Sequence, residues 1–91
     1  MKNCMLECKD IKPVNSAGQP HGYWEVYYLN GTLRYKGNYL NGQAHGYWES
    51  YYYYYGNLAY KGNYLNGKPH GYWEVYNNDG TLDYNRYYAR M

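Results

Sequence analysis

The 91-residue sequence has no phenylalanine, only eleven leucine, isoleucine and valine residues together, and just two cysteines. Too few aliphatic side chains are present for a conventional core, and by that measure alone the chain would fall among disordered sequences. No apolar run approaches the ~20 residues of a membrane span. The first residues, Met1 to Cys8, are interrupted by charge and lack the apolar centre of a signal peptide, so the expected location is cytoplasmic. Excess charge is also missing. Nine Lys and Arg against seven Asp and Glu leave +2, with the basic residues scattered, and a nucleic-acid partner is not expected. Cys4 and Cys8 stand four apart with no further ligand nearby. They read as reduced thiols in a terminal segment rather than a metal site or disulfide.

What the sequence does have is aromatic and periodic. Eighteen Tyr and three Trp can each bury roughly 150–250 Å², enough to build one small domain. The pentapeptide His-Gly-Tyr-Trp-Glu occurs at His21–Glu25, His45–Glu49 and His70–Glu74, at spacings of 24 and 25 residues. A fixed period in this range marks stacked supersecondary units. Three hairpin repeats are assigned to residues 21–44, 45–69 and 70–91, and residues 1–20 to a capping segment. Within that segment, Val14 to Gly22 resembles the later junctions at Leu40–Gly46 and Leu65–Gly71. The stretch from about Leu6 to Lys12 therefore reads as a degenerate half-repeat, a single capping strand.

Aromatic and β-branched runs of six to eight residues are punctuated by Asn30-Gly31, Asn41-Gly42, Asn66-Gly67 and Asp79-Gly80. These dipeptides supply the positive φ angles of two-residue hairpin turns. Strands are expected near 22–28, 32–39, 46–53, 57–64, 71–77 and 81–88, an all-β antiparallel meander in one elongated, twisted sheet. Two-residue turns place Tyr28 opposite Leu33, Val26 opposite Tyr35, Trp24 opposite and over Gly37, Gly37 opposite Gly46 and Tyr35 opposite Trp48. Reading Tyr54-Tyr55-Gly56 as a three-residue turn sets Trp48 opposite Gly62.

Strand alternation then separates two faces. Face A carries Trp24, Val26, Tyr28, Leu33, Tyr35, Tyr39, Trp48, Tyr52, Leu58, Tyr60, Tyr64, Trp73, Val75, Leu82 and Tyr84. Face B carries Tyr23, Glu25, Tyr27, Arg34, Lys36, Tyr47, Glu49, Tyr51, Tyr53, Lys61, Tyr72, Glu74 and Tyr76.

The segment Gly46-Tyr47-Trp48-Glu49, followed by Gly56-Asn57-Leu58-Ala59-Tyr60-Lys61-Gly62-Asn63-Tyr64-Leu65-Asn66-Gly67-Lys68-Pro69-His70-Gly71, resembles the MORN repeat. It is most similar to the tryptophan-containing bacterial variant, some members of which are labelled antitoxin-like. The resemblance spans residues 21–91. It implies a row of β-hairpins that acts as a scaffold, a dimerisation module or a partner-binding surface. The chain departs from the pattern at Asn77, Asp79, Asn85 and Arg86, which suit a wettable C-terminal end, and at Tyr51–Tyr55, where more tyrosine replaces a turn.

Chemistry is hard to place on this pattern. His21, His45 and His70 recur two strands apart, about 10 Å, too far to share a zinc ion. Glu25, Glu49 and Glu74 form a similar ladder without an enclosed pocket, and no phosphate loop or nucleophile elbow is present. No enzyme activity, metal or cofactor is expected. The expected function is protein interaction, either as a homodimer or with a protein partner, antagonism being one form of it, through Trp24, Tyr28, Tyr35, Trp48, Tyr52, Tyr53, Tyr54, Tyr55, Tyr60 and Trp73. The alternative is capture of a small planar ligand such as a nucleotide, with Arg34, Lys36 or Lys61 at the rim.

Overall fold

The computed structural model describes residues 10–88, so Cys4, Cys8 and the first part of the expected capping strand lie outside the described residues. The fold is all-β. Six strands, β1 Gly22–Tyr27, β2 Leu33–Leu40, β3 Gln43–Tyr51, β4 Leu58–Leu65, β5 Lys68–Tyr76 and β6 Leu82–Tyr88, pair antiparallel in sequence order. They make one open meander sheet with extents of 43 × 41 × 10 Å. The third dimension is that of a single layer, since stacked sheets alone would add about 10 Å.

Two kinds of connection alternate along the chain. Asn41-Gly42 and Asn66-Gly67 have φ of 48° and 88°, and of 54° and 81°. Leu40 pairs with Gln43 and Leu65 with Lys68 directly across them. Two consecutive positive φ angles define the twist-matched two-residue turn that Asn-Gly favours. The other hairpins close differently. The Tyr28 amide donates to the Thr32 carbonyl (2.8 Å) and the Gly31 amide to the Tyr28 carbonyl (3.1 Å), leaving Leu29-Asn30-Gly31 as a three-residue loop. Asn78-Asp79-Gly80 repeats this geometry. The expected two-residue turns at Asn30-Gly31 and Asp79-Gly80 are thus corrected. Asn30 Oδ1 and Asp79 Oδ1 each accept the amide two residues on, at 2.9 Å, and only the glycine adopts positive φ. In the middle hairpin the Tyr52 amide donates to Asn57, so the loop is Tyr53-Tyr54-Tyr55-Gly56, four residues rather than three.

Each longer loop is balanced by a bulge. Tyr27 pairs with Leu33 but Val26 with Tyr35, so Arg34 is an extra residue on β2; Ala59 and Asp83 are extra in the same way on β4 and β6. The expected registers of Val26 with Tyr35 and Trp48 with Gly62 are therefore present although the turns differ. Side-chain sidedness does change. Leu33, Leu58 and Leu82, expected on face A, pair with Tyr27, Tyr51 and Tyr76 of face B. Arg34 moves the other way. Its guanidinium carbon lies 5.7 Å and 5.9 Å from the ring centres of Tyr28 and Tyr35.

A second irregularity seats the tryptophans. Lys36 pairs with Glu49 and Asn38 with His45, so Gly37 stands alone across from residues 46–48. Tyr35 consequently pairs with Ser50, not Trp48, and Gly37 has no one-to-one partner in Gly46. The bulge throws the indole of Trp48 onto Gly37, where a Cβ would lie 2.1 Å from Cδ2; Trp73 covers Gly62 at the same distance. Trp24 shares register with Gly37, but the ring over that glycine belongs to the following repeat. Each indole N–H donates back one strand, Trp48 to the Asn38 carbonyl and Trp73 to the Asn63 carbonyl, both at 3.0 Å.

The first and last described strands differ from the middle of the array. Ile11 bridges Glu25, Val14 bridges Pro20, and Trp24 Nε1 donates to the Pro13 carbonyl at 2.8 Å. The segment 11–14 thus supplies Trp24 with the backbone acceptor that β2 supplies to Trp48. At the other end Arg86 occupies the position of Gly37 and Gly62, its guanidinium 4.7 Å from the centre of Tyr88.

Candidate functional site

Face B is a self-satisfied polar lattice. Residues two apart on a strand share a face, so each repeat glutamate sits between two tyrosines. Tyr23 and Tyr27 donate to Glu25 at 2.7 and 2.6 Å. Tyr47 and Tyr51 donate to Glu49, and Tyr72 and Tyr76 to Glu74. Across the strands the order is Glu25, Lys36, Glu49, Lys61, Glu74. Lys36 approaches Glu49 at 3.5 Å and Lys61 approaches Glu74 at 3.4 Å. Tyrosine hydroxyls, then lysine, hold Glu25 below the usual carboxylate range. Burial works against Glu49, yet Tyr51, Tyr47 and Lys36 still carry it downward. The donors are shifted in turn. The bond to Glu25, followed by burial, pushes Tyr23 up to about 12, and burial with the bond to Glu49 takes Tyr47 to about 12.

Face A is built differently. Only Val26, Trp48 and Trp73 are buried hydrophobics among the described residues. Tyr35 stacks on Trp48 with ring centres 5.6 Å apart, and Tyr60 lies over Trp73 at 5.8 Å. Tyr39 meets Trp48 edge-on at 5.0 Å, and Tyr64 meets Trp73 likewise at 5.0 Å. Two aromatic ridges result, one along β2 and one along β4, with β3 as the floor between them. The trough encloses about 420 Å³ and is lined by Tyr35, Tyr39, Trp48, Tyr60 and Tyr64, with Ala44 and Ser50 on its floor.

The sequence-predicted residues divide into four groups. Tyr35, Trp48 and Tyr60 meet in the trough. Trp24 and Trp73 lie in neighbouring repeats, and Trp73, like Trp48, is packing rather than contact surface, at 6% and 7% exposure. Tyr28 and Tyr52 are staples between hairpins: their hydroxyls donate to the Tyr51 and Tyr76 carbonyls at 2.8 and 2.6 Å. Tyr53, Tyr54 and Tyr55 project at the tip, the last two 71% and 74% exposed with their rings stacked at 5.4 Å. Asn30 Nδ2 fixes this loop by donating to the Tyr53 carbonyl at 2.8 Å. Tyr53 was expected on face B; its ring packs edge-on against Tyr28 at 5.0 Å.

Lys36 and Lys61 are committed to glutamates on face B, whereas Arg34 lies 5.9 Å from the ring centre of Tyr35, one wall of the trough. Sequence reasoning missed Ala44 and Ser50. The signal was present: the flanking repeats carry Pro20 and Pro69, and Val26 and Val75, at those positions. The histidines stay apart, one per repeat, and His21 Nδ1 accepts the Asn41 amide at 3.0 Å. No helix among the described residues is long and apolar enough to cross a membrane. Comparisons of this chain with protein-family models, with curated proteins and with solved structures found no match.

Proposed function

We propose that this protein is a non-enzymatic interaction module that docks a protein on face A, either a second copy of itself or a separate partner. The observation carrying this reading is a one-layer sheet, 10 Å thick, whose face A aromatic ridges have no second layer over them among the described residues, leaving Tyr35, Tyr39 and Tyr64 half-buried and Tyr60 exposed. Sheets bury their apolar face against a second layer, and a contiguous exposed aromatic patch is the usual mark of an interface. The chain exposes 6352 Å², against about 5,600 Å² for a compact monomer of its mass. A 43 × 41 Å slab presents about twice the ~800 Å² per partner of a standard interface.

Face B supports the assignment by contrast. Its tyrosines, glutamates and lysines already bond one another. The trough tyrosines of face A, Tyr35, Tyr39, Tyr60 and Tyr64, have no hydroxyl hydrogen bond among the described residues, so their donors remain for a partner. A catalytic role gains no support from the glutamates, which stand about 10 Å apart on an open face with their oxygens engaged. The resemblance of residues 21–91 to MORN repeats, and antagonism of another protein as one form of docking, belong to the same proposal.

Sedimentation velocity over a range of protein concentrations, with Tyr60→Glu on face A and Tyr47→Glu on face B, tests it. Association of the wild type that Tyr60→Glu abolishes and Tyr47→Glu leaves intact is expected. Association lost only with Tyr47→Glu, or a monomer at every concentration whose face A binds no protein partner, would overturn it.

A further inference from the structure

The middle repeat differs from its neighbours in a consistent direction. At the β3 position paired with Tyr39 the residue is Ala44, where the flanking repeats have Pro20 and Pro69. At the position between Tyr35 and Tyr60 it is Ser50, where they have Val26 and Val75. Both changes shrink or polarise the floor of one trough, and both residues line the same 420 Å³ depression. Packing of the repeat does not require them, since its sister repeats fold with the larger residues.

We propose that this trough is a binding site for a planar ring that carries one negative group. Tyr35 and Tyr60 pair with Ser50 from opposite sides, so their strands are about 9.6 Å apart. A ring at 3.5–4.0 Å from each wall needs about 7–8 Å. The trough volume lies within the roughly 300–1,000 Å³ of small-molecule sites. The walls are uncharged and offer tyrosine hydroxyls. The Ser50 hydroxyl makes only a long 3.3 Å bond to the Arg34 carbonyl, so it is available to a ring heteroatom.

Charge fixes the rest of the ligand. The Arg34 guanidinium lies 5.9 Å from the ring centre of Tyr35, a wall of the trough, and has no acidic partner within salt-bridge distance among the described residues. Lys36 and Lys61 belong to the opposite face, and Arg86 sits over Tyr88 on the last strand. The Arg34 cation at the Tyr35 wall matches one anionic group there, and Lys68 follows the lining residue Gly67 on the far side. A nucleoside monophosphate and an aryl carboxylate share this chemistry, whereas a triphosphate would leave charge unpaired.

The test is a titration followed by amide chemical shifts, with adenosine 5′-monophosphate, indole-3-acetate and uncharged adenosine as probes. Saturable shifts centred on Ala44, Ser50 and Gly67, which also lines the trough, are expected for at least one anion, and which anion saturates distinguishes the two sources. Ser50→Val and Ala44→Pro copy the sister repeats and so keep the fold; each weakens binding about ten-fold or more. Arg34→Gln weakens the anion about ten-fold and leaves adenosine unchanged. Absence of saturation by either anion, or affinity unchanged in both floor variants, overturns the site. The trough lies within the face assigned to docking, so a ligand and a protein partner would use the same tyrosines; the titration reads the ligand site and sedimentation reads the docking, so either can fail without the other.

Discussion

The two faces of this sheet use the same amino acid for opposite ends. On face B the tyrosines turn their hydroxyls onto Glu25, Glu49 and Glu74, so the polar groups are consumed within the sheet. On face A Tyr35 and Tyr60 stack against tryptophan, and with Tyr39 and Tyr64 they make no hydroxyl hydrogen bond among the described residues. A tyrosine-rich composition therefore does not by itself mean a sticky surface. What decides is whether a carboxylate lies two residues away on the same strand.

The largest test of this contrast is Trp48→Ala. It removes the packing beneath the face A ridges and should cost about 3–5 kcal/mol, read by chemical denaturation. Next is Gly62→Ala, whose methyl would lie 2.1 Å from the Trp73 ring. Overpacking of this kind should cost about 1–3 kcal/mol. Arg86→Gly, at the equivalent position without a covering indole, should fall within about 0.5 kcal/mol of wild type. On face B, Glu49→Gln removes the charge that three donors address and should cost about 1 kcal/mol. Lys61→Met, which breaks a partly exposed ion pair, should cost less than about 1 kcal/mol.

Face B should also set the pH limits of stability. Glu25, Glu49 and Glu74 titrate below their ordinary values in the folded state. Their contribution is complete above the unfolded carboxylate range and is lost as pH falls through the lowered folded values. Tyr23 and Tyr47 are raised from 10.0 to about 12. Their contribution is complete below pH 10 and is lost as pH rises toward 12. Denaturation midpoints measured from pH 3 to 12 should therefore fall at both ends, and Glu49→Gln should flatten both limbs.

Much of the fold was legible because the repeats constrain one another. Strand number, order and the Trp48–Gly62 register follow from placing equivalent residues on one face. The bulges at Arg34, Ala59 and Asp83 were not legible, because a turn and a turn one residue longer with one bulge give the same register beyond them. That ambiguity carried Leu33, Leu58 and Leu82 to the wrong face. The reach of each indole to the preceding glycine was hidden for a related reason, since sequence specifies neighbours in register and not the direction a bulge throws a ring. The floor of the trough was legible in principle. Ala44 and Ser50 stand out once the three repeats are aligned, but counting aromatics drew attention to walls and tip instead.

Hydroxyl-radical footprinting of the tyrosines, in the associated and the dissociated protein, tests the central claim most directly. The account predicts that Tyr35, Tyr39, Tyr60 and Tyr64 become protected on association while Tyr23, Tyr47 and Tyr72 keep their reactivity. Protection of Tyr23, Tyr47 and Tyr72 with the trough tyrosines left open would contradict it.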